Sequence, residues 1–237
     1  MLQQDRVVLI SGATGGLGQV VAEWMADAGA RLALVSRDEH KLAALAQKLS
    51  LTDERVKILP ADLADPNAAQ HVVQATVDAF GKLDVVIHLV GGWAGGEEVT
   101  AVQPRELAEM LVNHVWTTFH LAQASLPALK KNGWGRWLVV SSPAAGRPPA
   151  KMSAYAVAKA AQETLLLSMA RELKGSGVTA NVLRVQTIDV EHEKLAQPDA
   201  KNASWTTPEE ISAALLYLCS DAAGTVNGAV LPLNGAP

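Results

Sequence analysis

One cysteine, Cys219, stands in 237 residues, so the chain's own thiols build neither an internal disulfide nor a thiolate metal site. Long apolar runs are missing as well. The first, Val7-Val8-Leu9-Ile10, is far too short for a membrane span or a signal-peptide core, and residues 1–5 before it carry no Lys or Arg. The expectation is a soluble, cytoplasmic protein with no membrane partner. Blocks of basic charge are also lacking: 20 Lys+Arg face 24 Asp+Glu, a formal net charge of −4, which argues against a nucleic-acid partner. Neither a His-Glu-x-x-His zinc motif nor a Gly-x-Ser-x-Gly elbow occurs, and no metal is expected. No Pro-, Gly- or Ser-rich linker, internal repeat or low-complexity segment divides the chain, so residues 1–237 read as one domain.

What is present is apolar: 49% hydrophobic against 19% charged residues, enough for a sizeable core. Short continuous runs recur, including Leu32-Ala33-Leu34-Val35, Val56-Lys57-Ile58-Leu59, Val85-Val86-Ile87, Trp137-Leu138-Val139-Val140 and Val182-Leu183. Continuity rather than alternation marks strands buried on both faces. Segments of helical length separate them, at 17–28, 39–49, 67–80, 105–131, 153–173 and 208–218. Alternating strand and helix predicts an α/β fold, a doubly wound parallel sheet with helices on both faces. The least regular stretch, 187–206, holds Glu191-His192-Glu193, Pro198 and Asn202 and reads as a lid over a substrate site.

The first strand runs into Ser11-Gly12-Ala13-Thr14-Gly15-Gly16-Leu17-Gly18 and then a helix. Gly12, Gly16 and Gly18 suit a turn that brings backbone N–H groups against a pyrophosphate, with Thr14, Gly15 and Leu17 in the same cradle and the helix N-terminus stabilising the anion. The spacing Gly-x-x-x-Gly-x-Gly resembles the cofactor loop of the short-chain dehydrogenase/reductase family, Ser11 standing where that family usually has Thr. The resemblance implies a Rossmann-type sheet and a nicotinamide cofactor. At the end of the second strand, Ser36-Arg37 occupies the place where an NAD site keeps a carboxylate for the 2′-hydroxyl. A cation and a hydroxyl there suit a 2′-phosphate, so NADP(H) is expected over NAD(H). Ser36 also reads as a helix N-cap with Glu39 three residues on, and Asp38 stands as the alternative ribose acceptor. Asp62-Leu63 matches the family's adenine-contacting pair, although Asp62 reads equally as a cap of the next helix.

Tyr155-Ala156-Val157-Ala158-Lys159 puts a phenol and an ammonium on one helix face about 6 Å apart along the axis. A Lys⁺ beside a phenol is expected to lower its pKa from about 10. With Ser142 at the end of the fifth strand and Asn113 in the long helix, this resembles the family's full catalytic set. The resemblance implies Tyr155 as proton donor or acceptor at a carbonyl, Ser142 as its hydrogen-bonding partner, Lys159 on the nicotinamide ribose and Asn113 fixing a relay water. It further implies an oxidoreductase acting on a ketone, a 3-oxoacyl group or the matching alcohol, and a homo-oligomer, tetramer or dimer. A non-catalytic NADP(H)-binding sensor is the rival from another class.

Departures from the pattern are local. His88-Leu89-Val90-Gly91 replaces Asn-Asn-Ala-Gly; Gly91 keeps the close approach to the cofactor, and His88 reads as a structural substitute for the first Asn. Val185-Gln186 replaces Pro-Gly and Val190 a Thr, leaving Thr187 and Ile188 as candidate carboxamide contacts. The closing segment reads Asn234-Gly235-Ala236. Gly91-Gly92-Trp93-Ala94-Gly95-Gly96 with Trp205 resembles dihydropteridine reductases, where a pterin would stack on Trp93; packing of both tryptophans into the lid is the plainer alternative.

Overall fold

A computed structural model describes residues 4–234; Gly235 and Ala236 of the closing segment lie outside them. Seven parallel strands form one sheet in the order β3-β2-β1-β4-β5-β6-β7. They are β1 (Val7–Ser11), β2 (Arg31–Ser36), β3 (Val56–Pro60), β4 (Val85–His88), β5 (Gly135–Ser141), β6 (Val178–Val185) and β7 (Val230–Leu233). The helices are α1 (Gly16–Asp27), α2 (Glu39–Leu49), α3 (Pro66–Phe80), α4 (Pro104–Leu111), α5 (Thr117–Lys131), α6 (Ser153–Glu172), α7 (Glu193–Ala196) and α8 (Pro208–Leu218).

The continuous strands are the central ones: every residue of β1 and β4 is buried, because apolar cores lie on both faces. Edge strands β3 and β7 alternate or thin out, as a sheet margin with one wet side requires. Two features depart from the sequence reading. The helix expected over 105–131 is broken by a π turn at Val112–Trp116, and the 187–206 stretch contains the single turn α7. Strand order reverses between β1 and β4, which opens a crevice at the carboxyl edge of the sheet. Cys219 caps the end of α8 inside the core, where burial pushes its thiol up to about 12, as befits a small buried hydrophobe.

Candidate active site

The crevice is a cleft of about 820 Å³ continuous along its lining with a smaller pocket of about 310 Å³. Gly12, Gly15 and residues 89–91 line both. The glycine loop that follows β1 divides them. Gly12 has φ +76°, and a Cβ there would lie 2.9 Å from the Leu89 carbonyl carbon; one on Gly18 would lie 2.2 Å from the Gly12 carbonyl oxygen. Gly15 stands at the N-cap of α1 with no side-chain cap, and no acidic residue lies in the first turn, so its open N–H groups are free for an anion. Steric closeness of the backbone and an uncapped helix start together fit a pyrophosphate. Gly16 is held small by the lid side: a Cβ there would come within 2.7 Å of Val190 Cγ1.

In the smaller pocket, Thr14 and Ser36 join hydroxyls at 2.7 Å, and exposed Arg37 and Asp62 with buried Leu63 complete the wall. The α2 cap is Asp38, not Ser36: the Asp38 carboxylate accepts from Lys41 N at 3.1 Å and pairs with its ammonium, which holds the carboxyl below its ordinary range. That removes Asp38 from the pocket wall and leaves Ser36 to the loop. Likewise the α3 cap is Asp65, which accepts from Asn67 N at 2.9 Å, so Asp62 keeps its place beside Leu63.

The larger cleft holds the reactive groups. Ser142, Tyr155 and Lys159 line it together, with Trp93, Arg147, Pro149 and Met152 and with Val185, Gln186, Thr187 and Ile188. Ser142 follows β5 beside Tyr155; burial holds the Tyr155 phenol above its ordinary pKa while the Ser142 hydroxyl draws it back. Here the sequence reading is corrected: Lys159 does not lower that pKa. Its ammonium is spent on the Val140 carbonyl at 2.9 Å and Gln162 Oε1 at 3.0 Å, and burial pushes Lys159 itself down to about 7, with Glu163 pulling the other way. Trp93 is 61% exposed at the cleft, so it does not pack into the lid; Trp205 is half-buried.

Two histidines carry much of the support. Ser11 donates to His88 Nδ1 at 2.7 Å, His88 Nε2–H donates to Thr117 Oγ1 at 3.2 Å, and Thr117 donates to the Asn113 carbonyl at 2.7 Å. Thr117, its own hydrogen given to Asn113, fixes Nε2 as a donor, and burial with nearby Lys159 holds the His88 ring neutral, its pKa down to about 3. His88 thus ties β1 and β4 to the π turn, as its reading as a structural substitute anticipated.

Asn113 lines the smaller pocket with Thr117, and its Nδ2 comes within 3.9 Å of a Cβ placed on Gly92, which lines the larger cleft. His114 takes the inner position. Its ring meets Tyr155 edge-on at 5.7 Å, its Nε2–H donates to the Gly92 carbonyl at 2.9 Å, and Cε1 would touch a Cβ on Gly91 at 2.7 Å. Burial lowers its pKa to about 3 as well. The signal was helical phase: Met110, His114, Thr118 and Leu121 form the buried stripe, and Asn113 sits off it.

Residues 12–235 match the family described as enoyl-(acyl carrier protein) reductase. An uncharacterized oxidoreductase of Mycobacterium tuberculosis strain CDC 1551 / Oshkosh is 28% identical, over 98% of this chain and 91% of the relative. One from Staphylococcus aureus strain USA300 is 27% identical over 90% of each chain. Among solved structures, a short-chain type dehydrogenase/reductase from Mycobacterium ulcerans is 26% identical with a TM-score of 0.90, covering 99% of this chain and 90% of that one. A 3-ketoacyl-(acyl-carrier-protein) reductase from Brucella melitensis, complexed with NADH, shares the fold at 23% identity and TM-score 0.88, over 98% of each chain.

Proposed function

The chain belongs to the short-chain dehydrogenase/reductase family of oxidoreductases, and from that premise we propose that it reduces a ketone or 3-oxoacyl carbonyl to the alcohol, or runs the reverse, with NADP(H) preferred. The observation that carries the reading is the convergence of Ser142, Tyr155 and Lys159 on one cleft beside an uncapped helix start. Residues 12–18 would hold the pyrophosphate, Asp62 and Leu63 the adenine, Gly91 the backbone approach, and Thr187 and Ile188 the carboxamide. When bound, a reduced nicotinamide supplies the hydride.

Within that frame, Tyr155 gives its phenolic proton to the substrate oxygen, and Ser142 hydrogen-bonds the same oxygen as charge gathers on it. A phenol held above its ordinary pKa is protonated at neutral pH, the form a proton donor to a carbonyl oxygen needs. Lys159 directs its remaining N–H toward the ribose hydroxyls. Residues 187–206 serve as the lid, and Asn113, in the wall of the smaller pocket, would fix the water that relays protons. The test is NADPH oxidation against ketones, quinones, 3-oxoacyl thioesters and quinonoid dihydropterin. Turnover of a ketone or oxoacyl thioester supports the reading, turnover of the pterin alone moves it to the dihydropteridine branch that exposed Trp93 favours, and binding without any turnover overturns it.

The cofactor preference rests on Arg37 and the Thr14–Ser36 hydroxyl pair, with Asp38 committed to its helix cap. Arg37→Ala is expected to weaken NADPH about tenfold or more while leaving NADH within twofold, since one charge-assisted contact to phosphate contributes on the order of 1.5–3 kcal/mol. Calorimetric titration of both cofactors reads this, and equal losses would contradict the assignment. A second copy of the chain is the proposed partner: Val112, Trp116 and Phe119 form one exposed apolar stripe beside exposed Val157 on α6. Sedimentation distinguishes monomer from dimer or tetramer.

A further inference from the structure

A side-chain amide in the middle of α6 is out of place in an apolar interior unless every polar atom finds a partner. Gln162 is fully buried, one turn beyond Lys159. Its Nε2 uses both hydrogens, donating to Thr118 Oγ1 at 2.9 Å and to the His114 carbonyl at 3.1 Å. Thr118 donates to the same carbonyl at 2.5 Å, and Oε1 accepts from Lys159 Nζ. The orientation is therefore unique: turning the amide over would set NH₂ against an ammonium and a carbonyl oxygen against the His114 carbonyl.

We propose that Gln162 is the positioning residue for Lys159, a neutral clamp that joins the ammonium to the π turn of the preceding helix and aims it into the cleft. The inference rests on the reading of Lys159 as the cofactor-holding cation. Lys159 has three N–H donors; the Val140 carbonyl and Gln162 take two from opposite sides, β5 and α6, and the third is left to the cleft that Lys159 lines. Both acceptors are uncharged. Of the charged or titratable groups around Lys159, Glu163 on the same helix is turned to Arg184 of β6, its Oε1 accepting from Nε at 2.8 Å; His88 of β4 and His114 of the π turn are neutral; and Tyr155 stands one turn earlier on α6. The direct hydrogen bonds to the ammonium come from neutral dipoles, and Glu163, engaged with Arg184, offsets the burial that lowers its pKa only in part. An apolar residue in place of Gln162 would free the ammonium to swing and strip it of a partner. A carboxylate would over-stabilise its charge.

Two variants separate this from a packing role: Gln162→Glu, the isostere, and Gln162→Met, which keeps the length. The pH titration of the Lys159 side chain is followed by NMR of ¹³C-labelled lysine in the protein without cofactor, its signal assigned by Lys159→Arg, and NADPH affinity is titrated from pH 6 to 9. The expected results are a midpoint raised by at least one pH unit in Gln162→Glu and lowered by at least half a unit in Gln162→Met, with NADPH binding in the Met variant weakened about tenfold at pH 7. If the Glu variant does not fold, the Met variant decides alone. A midpoint that stays put while both variants merely melt earlier makes Gln162 a core residue and overturns the proposal. These readouts need no turnover, so a Tyr155→Phe enzyme that kept full activity would sink the carbonyl-reductase reading and leave the Lys159 midpoint to judge the clamp.

Discussion

Replacing Tyr155 by phenylalanine is expected to lower kcat at pH 7 by about 10²–10⁴-fold, the span of a positioned general acid, while NADPH affinity changes less than threefold. The asymmetry follows from the geometry. Only the phenolic hydroxyl is removed; the ring still meets His114 edge-on, and the Lys159 ammonium is anchored on Val140 and Gln162 rather than on the phenol. Binding therefore survives where proton delivery does not. Single-turnover kinetics with the active carbonyl substrate read the chemical step directly. A Phe variant within threefold of the parent rate would falsify Tyr155 as the acid.

Stability is expected to fall steeply as pH drops below about 6, ahead of the carboxylate range. His88 and His114 are both held down to about 3 in the folded protein, against about 6.5 in an unfolded chain. A depressed folded pKa means the unfolded state takes up the proton first. The stability of the neutral rings is thus fully present above pH 6.5 and is lost as pH falls through the window from 6.5 toward 3. Each histidine contributes a slope of about 1.4 kcal/mol per pH unit once its unfolded form is mostly protonated. Urea unfolding at pH 7, 6 and 5 measures the slope, and His88→Asn should roughly halve it at some cost in absolute stability. An unaltered slope in that variant would show that the Ser11–His88–Thr117 chain accommodates the imidazolium.

The sheet was legible because its strands must be apolar on both sides, and the glycine loop because backbone closeness at Gly12 and Gly18 excludes any side chain. Ser142, Tyr155 and Lys159 were legible for the same kind of reason: strand end and helix pitch fix them at the cleft. His114 was missed: residue type drew attention to Asn113, whereas the phase of the buried stripe, read from Met110 and Leu121, points to His114 as well. The π turn and the caps on Asp38 and Asp65 were out of reach because they depend on competition among neighbouring side chains rather than on spacing. Gln162 was invisible because a lone glutamine carries no signal until its three partners, from α5, α6 and the π turn, are seen together.

Val190 resting on Gly16 couples two parts of the chain that are remote in sequence. The glycine is small because the valine is there, so neither can be enlarged alone, and trimming one is what would make room for growth in the other. The same contact gears the phosphate turn to the irregular stretch beyond β6. Were that stretch to swing outward, it would uncover the start of α1 as well, so access to the glycine loop and to the lining beyond β6 would change together.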